Sequence, residues 1–208
     1  MSLPRRTVLA ALAASPLAGP ALAQGIAPND PRLAERGVGR PDAPVQVQEF
    51  FSLTCSHCAA FHRETFPQVK RQLVQTGAIR LVWRDFPLDQ LALTAAVIAR
   101  SLPPEHYEGF ISALLSSQDR WAFTRSDPIE ELAKMAALAG MSRAKFDAAR
   151  QDQALARAIL EGRMKAEQEF KVSATPTFVF QHGGRSKVQP GAIAFDRFQQ
   201  LVAEAKQA

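Results

Sequence analysis

The stretch Val45-Gln46-Val47-Gln48-Glu49-Phe50-Phe51-Ser52-Leu53-Thr54-Cys55-Ser56-His57-Cys58 holds the only two cysteines of the 208-residue chain, set two residues apart. Four readings compete for that pair: a redox-active dithiol at a helix N-terminus, half of a zinc site, a haem-attachment motif, or a small structural staple. A closed zinc site needs four ligands, and neither a second cysteine pair nor a close histidine pair supplies them, so no metal is expected. Haem attachment requires a histidine directly after the second cysteine, where Ala59 stands. A staple closing so short a loop removes little unfolded-state entropy, roughly 2 kcal/mol against about 3 for fifteen residues. Redox chemistry leads, with the staple and metal readings as its alternatives.

Upstream of the cysteines, Val45 to Phe51 alternates and then turns aromatic, which predicts a strand buried along much of its length. Glu49 is the odd residue in it. It is either an edge glutamate facing water or a buried carboxylate beneath the cysteines that exchanges protons with the deeper thiol. Downstream, a helix is expected to open at the cysteines, with Phe61, Thr65, Val69 and Leu73 on one face and Pro67 as a kink. The first N–H groups of a helix are free and its dipole is positive there, so a thiolate on Cys55 is stabilised, while Cys58, one turn in, faces the core. His57 between them would depress the Cys55 pKa further as an imidazolium or hydrogen-bond donor; otherwise it is a plain exposed histidine. His62, His106 and His182 read as surface or helix-packing residues.

Working outward, Ile79 to Phe86 reads as a second strand, and strand, helix, strand is a βαβ unit with parallel strands. Leu88 to about Phe170 is helical in pattern, broken at Pro103-Pro104, restarted at Asp127-Pro128 and Ser142, with Gly140 a stop and Gly162 inside the last helix. Thr175-Pro176 then leads a strand, Gly183-Gly184 turns it back on Lys187 to Gln189, and a helix from about Ala194 buries Phe195, Phe198 and Val202. Residues 45–87 and 175–208 thus form one unit, and 88–174 a helical insertion.

At the start of the chain, Arg5-Arg6, the apolar run Val8 to Ala14 and Ala21-Leu22-Ala23 form an export signal over 1–23 with cleavage before Gln24. The arginine pair suits the twin-arginine and the general secretory route alike. Residues 24–44, rich in proline, glycine and charge, read as an extended arm. The formal charge of +5 includes the two signal arginines, leaving about +3 spread over the mature chain, which implies neither nucleic acid nor anionic lipid. In an oxidising compartment, a chain whose only cysteines form one C-x-x-C handles disulfides rather than needing them.

A βαβ unit with C-x-x-C opening its helix, a helical block, and a ββα unit whose first strand begins Thr-Pro together resemble the DsbA-type thiol:disulfide oxidoreductases of the thioredoxin superfamily. Glu49-Phe50-Phe51-Ser52 leading to Cys55-Ser56-His57-Cys58 is similar to that family's active-site segment, with Ser56 where proline is usual. Arg84-Asp85-Phe86-Pro87-Leu88 and Ala174-Thr175-Pro176-Thr177-Phe178 resemble a bacterial subgroup of it. The resemblance implies an α/β, thioredoxin-like fold with an inserted helical subdomain. It makes Cys55 the exposed nucleophile, Cys58 its buried partner, His57 the thiolate stabiliser and Glu49 the buried acid. Thr175-Pro176 becomes a cis-proline loop that pairs with an extended substrate beside Ser56. It further implies a periplasmic oxidase of reduced exported proteins, with no bound cofactor, reoxidised by a quinone-linked membrane partner of the DsbB kind. A disulfide isomerase or reductase is the nearest alternative, and a peptide- or metal-binding module without turnover the next.

Overall fold

The computed structural model describes residues 25–207; the export signal read at 1–23 lies outside them. Five strands form one sheet in the order β1-β3-β2-β4-β5: β1 (Arg36–Val38), β2 (Val45–Phe51), β3 (Ile79–Asp85), β4 (Thr177–His182) and β5 (Arg185–Pro190). β2 runs parallel to β3 with Val45 opposite Ile79 and Glu49 opposite Trp83, and antiparallel to β4 with Glu49 opposite Phe178. The parallel pair forces a crossover, which the cysteine-bearing helix supplies.

β1 corrects the reading of residues 24–44 as a plain arm, because Arg36–Val38 pairs antiparallel with β3. Its glycines explain both the strand and its weak signature. A Cβ on Gly37 would sit 2.6 Å from the Leu81 carbonyl oxygen, and one on Gly39, where φ is +96°, 2.7 Å from that of Ile79. The approach requires residues that leave no apolar alternation to read.

Alternation along β2 divides the core. Val45, Val47 and Phe51 join Ile79, Leu81, Trp83, Phe178 and Phe180 on one face, and Phe50 lies on the other with Phe86 and Val179. The first face is covered by the cysteine helix and by α9 (Phe195–Gln207), through Phe198, Leu201 and Val202. Phe178 is the keystone there, 4.6 Å from Phe61 and 5.6 Å from Phe198 between ring centroids. Truncating such a residue to alanine typically costs about 3–5 kcal/mol.

The cysteine helix is one rod from 56 to 74, built from α1 (Ser56–Ala60), a π turn (Phe61–Thr65), α2 (Phe66–Val69) and a second π turn (Lys70–Val74). The first π turn stands where a kink at Pro67 was expected. A proline ring clashes with the carbonyl four residues back. Here the turn before it is widened, so that the Phe66 N–H reaches five residues back to Phe61 O. Phe61, Thr65, Val69 and Leu73 are all buried, as the spacing predicts.

Between β3 and β4 run α3 (Gln90–Ser101), α4 (Pro104–Ser116), α5 (Gln118–Trp121), α6 (Pro128–Leu138), α7 (Arg143–Arg150) and α8 (Gln153–Phe170). Their starts follow local chemistry: Asp89, Asp127, Ser142 and Asp152 each accept a backbone N–H from the first turn they cap. Tyr107, Phe110, Leu114 and Trp121 enter the same core cluster as the sheet, whereas Leu93 and Val97 pack separately on Leu155 and Ile159 of α8.

Candidate active site

Cys55 is the N-cap of α1, with φ −82° and ψ 119°, and its Sγ accepts the Cys58 N–H at 3.4 Å. On its other side the Cys55 Sγ lies 3.3 Å from the Thr175 carbonyl oxygen, a hydrogen bond that the protonated thiol donates and the thiolate gives up. The Thr175–Pro176 peptide bond is cis, and Gly191 N–H closes the loop by donating to Pro176 O at 2.8 Å. The two segments quoted from opposite ends of the sequence therefore meet at one sulfur. The Thr175 hydroxyl is buried and, among the described residues, has no hydrogen-bond partner while Cys55 is a protonated thiol, which leaves it available to the thiolate.

This environment holds the Cys55 thiol down at about 5 against an ordinary 9.0. The Cys58 thiol donating to it is the largest cause; burial opposes, and the Thr175 hydroxyl and the backbone N–H groups of Cys58 and His57 add to the lowering. Cys58 moves the other way: burial first, then the hydrogen bond and charge of Cys55 and the charge of Glu49, push its thiol well up. Two thiols one helical turn apart are thus split into a thiolate and a proton-holding thiol. Both are free cysteines here. Cys55, expected to be exposed, keeps only 8% of its surface, because Thr175 lies over it, while Cys58 keeps none.

Ser56 and His57 are exposed at the helix start. The His57 imidazole has no hydrogen bond among the described residues, and the residue bears on Cys55 through its backbone N–H. Glu49 is fully buried on the cysteine-helix side of β2. Its two carboxylate oxygens lie 3.1 and 3.2 Å from Nε2 of His62. Where Glu49 is ionised its oxygens only accept, and Nε2 is then the donor in that bond.

The sequence reads His62 as a surface or helix-packing residue; its side chain is 3% exposed and packs among Phe51, Phe61 and Phe66, with the contact to Glu49 in addition. The available signal was its spacing of four from Cys58, which puts both on one helical face. Gln118 was missed altogether. From α5 it donates to Leu53 O at 2.8 Å and Cys55 O at 3.0 Å, bracing the loop that leads into Cys55. Thr54 adds a tie, donating to Asp89, the α3 cap, at 2.7 Å. No local pattern announces a partner more than sixty residues away.

A family model described as "Thioredoxin" matches residues 33–203. The chain is 35% identical over 88 residues to a Rickettsia felis protein named "Putative protein-disulfide oxidoreductase", covering 42% of this chain and 32% of that one. With the similarly named Rickettsia typhi protein the identity is 28% over 169 residues, 81% of this chain and 60% of the relative. The chain thus spans about a third to three fifths of the curated relatives it matches. Among solved structures, Wolbachia pipientis alpha-DsbA1 superposes with a TM-score of 0.75 and 28% identity, over 88% of this chain and 94% of that one. The family match spans the sheet, the cysteine helix and the helical block between them. The chain belongs to the thioredoxin family, and its architecture is DsbA-like.

Proposed function

We propose that this protein is an exported thiol:disulfide oxidoreductase that introduces disulfides into reduced protein chains. The observation that carries this reading is the split between the two thiols. In the oxidising direction a substrate thiolate attacks Cys55 Sγ of the Cys55–Cys58 disulfide, and Cys58 leaves and takes a proton. A second substrate thiolate then attacks the substrate sulfur of the mixed disulfide, and Cys55 leaves as a thiolate. A leaving group held at about 5 leaves readily. Each unit by which its pKa falls favours the reduced enzyme by roughly 1.4 kcal/mol, so the oxidised form is the stronger oxidant.

In this reading Glu49 is the buried acid serving Cys58 and His57 steadies the thiolate. Ser56, Thr175 and the cis Pro176 receive an extended substrate strand on the loop over Cys55. Residues 45–87 and 175–208 are the catalytic unit, and 88–174 the insertion that braces it. Export rests on the sequence pattern of residues 1–23, and among the described residues no helix is long and apolar enough to cross a membrane. A periplasmic location and reoxidation by a quinone-linked membrane protein of the DsbB kind follow from the resemblance. The deciding measurement is the redox equilibrium with glutathione, read by alkylation of Cys55 and Cys58. A potential near or above roughly −150 mV supports the oxidase; one near −250 mV would make a reductase the better reading.

A further inference from the structure

Beneath the cysteines the structure holds a buried polar atom that the mechanism above does not use. Among the described residues Nδ1 of His62 has no hydrogen-bond partner, although the ring is almost completely enclosed. A buried polar nitrogen left unpaired costs about 1–3 kcal/mol, more if it carries charge, so it is unusual without a role. Its other nitrogen is fixed by both oxygens of Glu49. Across the strand pair from Glu49 stands Trp83, whose Nε1 is likewise buried and unpaired. Two unpaired polar nitrogens on residues flanking one buried carboxylate are what a proton path or an internal water leaves in a protein framework.

The remaining surroundings narrow the partner. Phe51 of β2, Phe61 of the π turn and Phe66 of α2 enclose the ring with apolar surface. The ionisable side chain next along the same helical face is Cys58, one turn before His62, and the Glu49 charge acts on its sulfur. The next carboxylate on that sheet face, Asp85, is occupied by Arg100 and Tyr107.

We propose that His62 and Glu49 form a buried carboxylate–imidazole pair that carries the proton exchanged by Cys58, with His62 a positioning residue for Glu49 and a holder of that proton. The inference rests on the exchange reading above. When a mixed disulfide on Cys55 is resolved, the Cys58 thiol gives its proton to the pair and its sulfur forms the Cys55–Cys58 bond. The bond from Cys55 to the departing sulfur breaks, the departing group leaves as a thiolate, and the pair passes its proton on to solvent. In the opposite direction, Cys58 leaves as a thiolate and receives a proton by the same path. Electrons move only between sulfurs.

The experiment reacts the reduced protein with oxidised glutathione and follows the Cys55–glutathione mixed disulfide by acid quench and mass spectrometry from pH 6 to pH 9.5. In His62→Leu the mixed disulfide should persist about a hundredfold or more longer than in the parent at pH 7, a loss in the range of a missing general base. The difference should shrink towards pH 9.5, where hydroxide replaces the base. Because His62→Leu leaves Glu49 unpaired, a Glu49→Gln, His62→Leu double variant is measured as well, and it should show the same pH-dependent delay. The rate of Cys55 alkylation should keep its midpoint near pH 5 in both, which separates the proton path from a general loss of structure. Lifetimes within twofold of the parent across the range overturn the proposal. So does a delay in Glu49→Gln alone with none in His62→Leu, which would leave the acid acting by itself. A parent protein that forms no mixed disulfide at all would instead remove the exchange reading, and this inference with it.

Discussion

Two carboxylates rise from neighbouring strands into the same face of the sheet and are held in opposite ways. Asp85 of β3 is held at both oxygens: Arg100 Nε donates to Oδ2 and the Tyr107 hydroxyl to Oδ1 at 3.2 Å. Arg100 also donates to Arg32 O at 2.9 Å and Ala34 O at 3.3 Å. The Tyr107 ring lies near both the Arg36 and the Arg100 guanidinium, 5.8 and 5.9 Å from its centroid. Glu49 of β2 has one partner, and that partner keeps a nitrogen free. Every group around Asp85 fixes geometry, joining the segment before β1 to the inserted helices. The group around Glu49 leaves one nitrogen, Nδ1 of His62, open one helical turn from Cys58. Burial alone therefore does not distinguish the two acids; the open hydrogen-bonding position on the partner of Glu49 does.

That contrast can be broken in several ways. The largest expected effect is on stability: Asp85→Ala leaves the Arg100 charge buried and unpaired, and should cost about 3–5 kcal/mol in urea denaturation. Cys55 should still alkylate with a midpoint near pH 5. A loss below about 1 kcal/mol would show that Asp85 is not the rivet its bonds suggest. Next is Gln118→Ala, which strips a donor from two buried carbonyls and should cost about 1–3 kcal/mol. Because the lost bonds anchor the Cys55 backbone, the alkylation midpoint should move as well, and a stability loss with no movement would make Gln118 merely structural.

The two thiols carry the contrast into pH. Between pH 5 and 9, reduction takes up one proton, on Cys58, so the potential should fall by about 30 mV per pH unit, equivalent to about 1.4 kcal/mol, and below pH 5 by about 59 mV as Cys55 also protonates. A uniform 59 mV slope across the range would mean that Cys55 is not a thiolate at neutral pH. The same shift bears on folding. A group whose folded pKa is depressed adds stability present above its unfolded value and lost as pH falls through the folded one. The reduced protein should therefore lose stability relative to the oxidised protein as pH falls from about 9 to about 5. The smallest effect is Gly162→Ala: the position is helical, nothing lies within 4 Å of the new Cβ, and the helix should gain roughly 0.5–1 kcal/mol.

What the sequence made legible was local. The alternation of Val45 to Phe51 set the buried strand, the cysteine spacing set the helix start, and Gly183-Gly184 set the hairpin, because each feature is encoded by neighbours a few residues apart. The opposition of Cys55 and Thr175 across the chain was legible only through family resemblance. Arg36–Val38 escaped notice because a three-residue strand rich in glycine has no period to detect. His62 escaped because a histidine on an apolar face is ordinarily a packing residue, and its meaning appears only when Glu49, thirteen residues earlier, is seen to face it. Gln118 has no sequence signature: its role is defined by two carbonyls more than sixty residues earlier in the chain.

The outer strand of the sheet bears on another hazard. A protein proposed to handle unfinished chains works among exposed β-strands, and an open sheet edge invites them to pair indiscriminately. β5 is that edge beside β4, and it carries Arg185 and Lys187 and ends at Pro190, which has no N–H to offer. Its charged, proline-terminated rim discourages adhesion along the sheet and, under the proposed function, leaves the backbone at Thr175, over the Cys55 sulfur, as the place where a substrate chain would be received. On that proposal the fold separates contact that leads to chemistry from contact that leads to aggregation.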